Sequence, residues 1–144
     1  MLAYRLAADI LHQLEGLGPA LFGESIVAVD IQTGERRWHY QTIHHGLWDR
    51  DIPCAPILVD IPHNGKIVKA LAQPTKQCFL YVLDRTNGKL LSAKPFGRVN
   101  WATHVDMTSG RPVESDLVTR ELRAGKTIEM WHSVRGAKNW PHAA

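Results

Sequence analysis

SIVAVDIQTGERRWHYQ, residues 25 to 41, sets two runs rich in β-branched and aromatic residues on either side of an aspartate followed four residues later by a glycine. In Asp30 to Gly34 the aspartate side chain can cap the backbone amides of a tight turn, and the glycine can take the positive φ that a side chain disfavours. Further along, the same spacing returns in DRTNG, Asp84 to Gly88, and DMTSG, Asp106 to Gly110, each after a hydrophobic run. SIVAVD, RRWHYQ, CAPILVDI, KIVKALAQ, QCFLYVLD and RVNWATHVD therefore read as strands separated by turn-formers, an all-β pattern from Ser25 onward.

Recurring hairpins point to a repeat architecture. Ala28 before the first turn and Trp38 after it would let an indole lie against the backbone of the next sheet, a way of locking propeller blades. An isolated hairpin with a core tryptophan is the competing reading of this motif alone. Tryptophan is missing at the matching offset after Gly88 and Gly110, and the three aspartates stand 54 and 22 residues apart, so no single period emerges.

Outside the strands the chain is less distinctive. Leu6, Ile10, Leu14 and Leu17 stand at near-helical spacing, which predicts a short helix over the first 17 residues, ending at Gly16 to Pro19. With 144 residues, 44% hydrophobic and 22% charged, the composition fits an ordinary globular domain. The net charge of +3 comes from basic residues scattered singly or in pairs such as Arg36-Arg37, which argues against a nucleic-acid surface. No apolar run approaches the roughly 20 residues of a membrane span. The opening MLAYRLAADILHQLEG carries Asp9 and Glu15 where a signal peptide is apolar, so nothing in the chain as written reads as exporting or anchoring it. Cys54 and Cys78 can form one disulfide or remain two buried thiols.

Four stretches together carry a resemblance: AVDIQTGERRWHYQTIHHGLWDRDIPCAPILVDI, ALAQPTKQCFLYVLDRTNGKLL, KPFGRVNWATHVDMTSGRPVES and GAKNWPHAA. They are similar, in order, to the pyrroloquinoline-quinone (PQQ)-dependent dehydrogenases, the quinoprotein alcohol and glucose dehydrogenases. Residues 20–144 carry this similarity, and residues 1–19 form a segment without a family counterpart. The resemblance implies part of an eight-bladed β-propeller of four-stranded antiparallel sheets, about three blades at the usual 40 to 50 residues each. It further implies a periplasmic oxidoreductase that takes hydride from an alcohol or an aldose sugar, with a divalent or lanthanide cation, normally Ca2+, beside the quinone. Ubiquinone or a cytochrome c would accept the electrons.

Carried over residue by residue, the family's general base falls on Asp49. A carboxylate there would take the alcohol proton as hydride passes to the quinone C5 carbonyl, and it would also bind the cation. Asp51 would be a further metal ligand: two residues apart on a strand face the same way, although in a loop that argument lapses. The basic residue that hydrogen-bonds the quinone's reactive oxygens falls on Lys76, where a cation stabilises the charge that develops. Asn139 would contact the quinone through its amide, and Trp140 would lie beside the quinone or serve packing. His44 and His45 read as structural or as shaping the pocket mouth, because imidazole suits softer metals than the hard cation of this family. Trp48 reads as packing beside the base.

The resemblance also implies that parts of the full enzyme, including further cation ligands, lie outside these residues, so that the chain alone has little turnover. A non-catalytic propeller-repeat scaffold or binding protein, or a small unrelated β-domain, remains open at this level. The pairing of Asp49 with Lys76 in family order counts against the scaffold.

Overall fold

The computed structural model describes the backbone of residues 2–6 and residues 22–44, 46, 49–122, 124–132 and 135–143. Nine strands make three antiparallel sheets among them. The first sheet orders β1 (Leu2–Leu6), β2 (Ser25–Asp30) and β3 (Arg36–Gln41). The second, four strands in sequence order, holds β4 (Ile57–His63), β5 (Lys66–Pro74), β6 (Phe79–Asp84) and β7 (Leu90–Pro95). β8 (Ala102–Val105) and β9 (Pro112–Glu114) form the third, followed by a short π-helical turn, Leu117–Leu122.

The helix expected over the first 17 residues is not what Leu2–Leu6 forms. Those residues pair antiparallel with β2, from Leu2 opposite Asp30 to Leu6 opposite Ile26. The free edge of β2 offers hydrogen bonds that a local periodicity of four aliphatic residues does not outweigh, an instance of tertiary pairing overriding propensity. The rest of the expected helix lies outside the described residues.

All three aspartate turns form, and they are built alike. Asp30 Oδ1 accepts the amides of Gln32 and Thr33 at 2.9 and 3.1 Å. Asp106 Oδ1 accepts those of Thr108 and Ser109 at 2.9 and 2.6 Å. Asp84 Oδ1 accepts the Thr86 amide at 2.8 Å and the Thr86 hydroxyl at 2.6 Å. In every copy the glycine amide donates to the aspartate carbonyl at 2.8 Å, with φ between 72° and 75° at the glycine. Hydrogen bonding holds all three carboxyls below the ordinary carboxylate range. At Asp30 the Arg37 guanidinium leads and brings the pKa to about 2. The Ser109 amide leads at Asp106, while at Asp84 burial pushes upward but the bonds from Thr86 and Asn87 prevail.

The blade-locking geometry expected of Trp38 is present. Its Nε1–H donates to the Arg85 carbonyl in the second aspartate turn at 3.1 Å. A Cβ on Gly88 would stand 2.6 Å from Trp38 Cε3, so the absent side chain is what lets the indole seat. Tyr40 does the same to the third turn, its hydroxyl donating to the Gly110 carbonyl at 2.6 Å. β3 therefore ties the first sheet to both later turns. Around these contacts lie two apolar clusters: Ile26, Ala28, Trp38, Ile52, Leu71 and Leu83 in one, and Phe79, Tyr81, Trp101, Ala102, Val105 and Val118 in the other, with Tyr40 and Leu90 touching both.

Candidate functional site

Strands β2, β6 and β8 each end in an aspartate turn. At their opposite ends stand the groups of chemical interest: Glu24 immediately before β2, Lys76 three residues before β6, and Trp101 immediately before β8. The β5–β6 connection that carries Lys76 is a closed turn. Cys78, at φ 70°, donates its amide to the Thr75 carbonyl at 3.1 Å, and the Thr75 hydroxyl donates to the Phe79 carbonyl at 2.8 Å.

Asp49 and Asp51 arrive on a segment without regular secondary structure. The strand geometry that would have aligned their side chains is therefore absent. They converge all the same, because Lys76 Nζ donates to Asp49 Oδ2 at 3.1 Å and to Asp51 Oδ1. The lysine side chain is 7% exposed, Asp51 35% and Asp49 71%, so the cluster runs from a buried cation to a carboxylate open to solvent. Burial alone would lower the Lys76 pKa, but the bonds to Asp51 and Asp49 outweigh it and raise the ammonium above its ordinary value. Asp51 is also raised, first by burial and then by the like charge of Asp49, against the pull of Lys76.

Arg50, between the two aspartates, is buried instead. Its guanidinium lies 5.0 Å from the Trp101 ring centre, and Nη2 reaches Met130 Sδ at 3.7 Å. Glu24 is the nearby counter-charge. Burial pushes its carboxyl up to about 7, opposed by Arg50 and reinforced by Asp51 and Asp49. Gly46 leaves it room, since a Cβ there would stand 2.6 Å from Glu24 Oε1.

Below Lys76, the fully buried Gln77 binds three neighbours. Its Nε2 donates to Thr42 Oγ1 at 2.9 Å, its Oε1 accepts the Tyr81 hydroxyl at 3.0 Å, and its carbonyl accepts Trp101 Nε1–H at 3.1 Å. Thr42 in turn donates its amide and hydroxyl to the Glu24 carbonyl at 2.9 and 2.8 Å.

The segment containing Asn139 also reaches Lys76. The Ala137 amide donates to the Lys76 carbonyl at 2.9 Å, and Gly136 is so close that a Cβ would stand 2.4 Å from Lys76 Cβ. Asn139 turns its amide inward to its own loop, donating to the Arg135 carbonyl at 3.1 Å and accepting the Trp140 amide at 2.9 Å. Trp140 is 76% exposed. His44 is half-buried, whereas His45 and Trp48 lie outside the described residues. Cys54 and Cys78 are both free, buried thiols. Glu24, Arg50, Gln77 and Trp101 were not singled out by sequence reasoning as site residues. Trp101 entered only as part of RVNWATHVD, one of the runs read as strands.

The sequence model described as "Glucose/ethanol/alcohol dehydrogenase, beta-propeller domain" of the PQQ type matches residues 13–94. The chain belongs to the PQQ-dependent dehydrogenase family. It is 45% identical over 125 residues to the quinohemoprotein alcohol dehydrogenase ADH IIB of Pseudomonas putida, covering 87% of this chain and 18% of that protein. Among solved structures, the quinohemoprotein alcohol dehydrogenase ADHIIG from Pseudomonas putida HK5 superposes with a TM-score of 0.79 at 40% identity, over 85% of this chain and 18% of that one. A europium-containing methanol dehydrogenase gives 0.70 at 32% identity, over 81% and 20%. The chain thus spans about a fifth of the length of these relatives and forms part of a propeller.

The donor chemistry suits both groups that the family uses. A buried ammonium fits a quinone's carbonyl oxygens, and carboxylate oxygens fit a hard cation. Among the described residues no three His, Cys, Asp or Glu side chains gather closely enough to hold a metal. No described helix is long and apolar enough to cross a membrane.

Proposed function

We propose that residues 20–144 contribute about three blades to an eight-bladed, periplasmic PQQ-dependent dehydrogenase that oxidises an alcohol or aldose sugar, and that Asp49 and Lys76 are its reacting pair. The observation that carries this reading is the buried Lys76 ammonium held between the carboxylates of Asp49 and Asp51.

Asp49, the most exposed member, is open to substrate and keeps its carboxylate beside a cation. It takes the hydroxyl proton while the substrate carbon gives up hydride. Bound PQQ supplies the two-electron acceptor. Lys76 would turn its remaining N–H toward the quinone oxygens and so oppose the charge developing there, with no proton transfer required of it. Asp49 and Asp51 would hold the cation, calcium in most of the family, with a lanthanide as the alternative that a europium-containing neighbour favours. Asn139 and Trp140 would contribute quinone contacts from the loop that packs on Lys76. Electrons leave to ubiquinone or a cytochrome c.

The test is equilibrium dialysis of PQQ with calcium against the purified chain. Saturable binding is expected, weakened by roughly tenfold or more in Lys76→Ala, the loss of one charge-assisted hydrogen bond. Asp49→Asn should abolish any dye-linked alcohol or glucose oxidation. Binding that survives Lys76→Ala unchanged rejects the assignment of Lys76.

A further inference from the structure

We infer that Trp101 is a positioning residue that sets the spacing between the Asp49 and Asp51 carboxylates and the Lys76 ammonium. The inference rests on the reacting pair proposed above and concerns how that pair is held. The two halves of the cluster come from distant chain segments, 27 residues apart from Asp49 to Lys76, and neither half is part of a strand. Each is followed by a buried residue that lands on the same indole. Arg50, next after Asp49, is 4% exposed and lies over the Trp101 ring at 5.0 Å. Gln77, next after Lys76, accepts the Trp101 Nε1–H on its carbonyl at 3.1 Å.

The ring can serve as a gauge because it is itself fixed. It is 2% exposed, Phe79 meets it edge-on at 6.0 Å and 89°, and its own carbonyl accepts the Ser115 amide at 2.9 Å. A planar bicycle that takes a guanidinium on its face and a carbonyl on its edge fixes both the distance and the angle between the segments that bear them. A buried Arg50 also leaves its two neighbours as the carboxylates available to Lys76, matching the exposure of Asp49 and Asp51 on either side of it.

The experiment uses the full chain with 15N-labelled lysine and tryptophan, in wild type, Trp101→Phe and Arg50→Lys. Lys76 is assigned by its loss in Lys76→Met. In wild type its ammonium protons should exchange with water more slowly than those of the exposed lysines. Trp101→Phe keeps a ring and removes the N–H. It should speed Lys76 exchange roughly fivefold, the factor that one ordinary hydrogen bond carries, and should leave the Trp38 indole signal in place. Arg50→Lys keeps the charge, loses the planar stack, and should move the Lys76 signal in the same sense.

An unaltered Lys76 signal in both variants overturns the inference. So does a Trp38 signal that shifts as much as Lys76, since that reports general loosening. If Trp101→Phe fails to fold, Arg50→Lys decides alone by the same criterion. A wild-type Lys76 that exchanges as fast as the exposed lysines overturns the inference and the cluster together. Should PQQ fail to bind while the Lys76 response is present, the positioning role stands and the catalytic reading falls. Binding without that response has the opposite meaning.

Discussion

Trp38 and Trp101 make the same bond, an indole N–H to a backbone carbonyl of another segment at 3.1 Å, yet they hold different things. Trp38 seats on the Asp84–Gly88 turn, whose carboxylate is satisfied within its own five residues. Trp101 seats beside Lys76, whose charge is satisfied only by residues that fold brings from elsewhere. One indole joins two finished units, whereas the other completes an unfinished one. Loss at the first junction is accordingly expected to cost stability and leave the charges alone, and loss at the second to disturb the charges.

The hardest blow to this contrast is Trp38→Ala. Removing a buried tryptophan side chain should lower unfolding free energy by about 3–5 kcal/mol, read as a fall in the urea midpoint, while the Lys76 ammonium of the remaining folded chain keeps its slow exchange. A Lys76 signal lost along with stability would mean that the two junctions are one.

Gly88→Ala sharpens the first junction more finely when set beside Gly34→Ala. Both glycines sit near φ +75°, but a Cβ on Gly34 meets nothing within 4 Å, whereas one on Gly88 runs into Trp38. Gly34→Ala should cost about 1 kcal/mol for the left-handed backbone alone, and Gly88→Ala about 2–3 kcal/mol. Equal losses would show that Trp38 yields freely and does not lock the turn.

The smallest effect is one of slope. Glu24 titrates near 7 in the folded chain, against 4.5 for an ordinary glutamate. Its folded-state pKa is raised, so the protonated form is favoured by folding. The stability this confers is complete below about pH 4.5 and disappears as pH rises through about 7, with a slope of at most about 1.4 kcal/mol per pH unit. Glu24→Gln should remove that decline. Urea midpoints measured across this window should fall in wild type and fall less in the variant; parallel curves would show that Glu24 is not the titrating group.

What could be read from the sequence follows the same division. The three aspartate turns were legible because the capping amides lie within three residues of each aspartate, so the motif contains its own partners. Trp38 could be assigned a docking role because the turn that receives it repeats. Asp49 and Lys76 were reached through the family resemblance, and the structure brings them together. Glu24, Arg50 and Gln77 carry no local mark: their importance comes from burial against Gly46, Trp101 and Thr42, contacts that span many residues. Leu2–Leu6 was misread for the same reason, since its pairing partner begins 20 positions away at Ile26.

The common direction of β2, β6 and β8 has an electrical consequence. Each strand carries at its far end an aspartate that stays ionised in acid, Asp30 down to about 2 and Asp84 and Asp106 below their usual range. At the near end of β2, Glu24 gains its proton near neutrality. Mild acidification therefore removes the negative charge of Glu24 from the entrance and spares the Asp30 turn, so the charge difference between the two ends of β2 is set by pH. Anions approaching from the Lys76 side meet a more positive field at about pH 6 than at about pH 8.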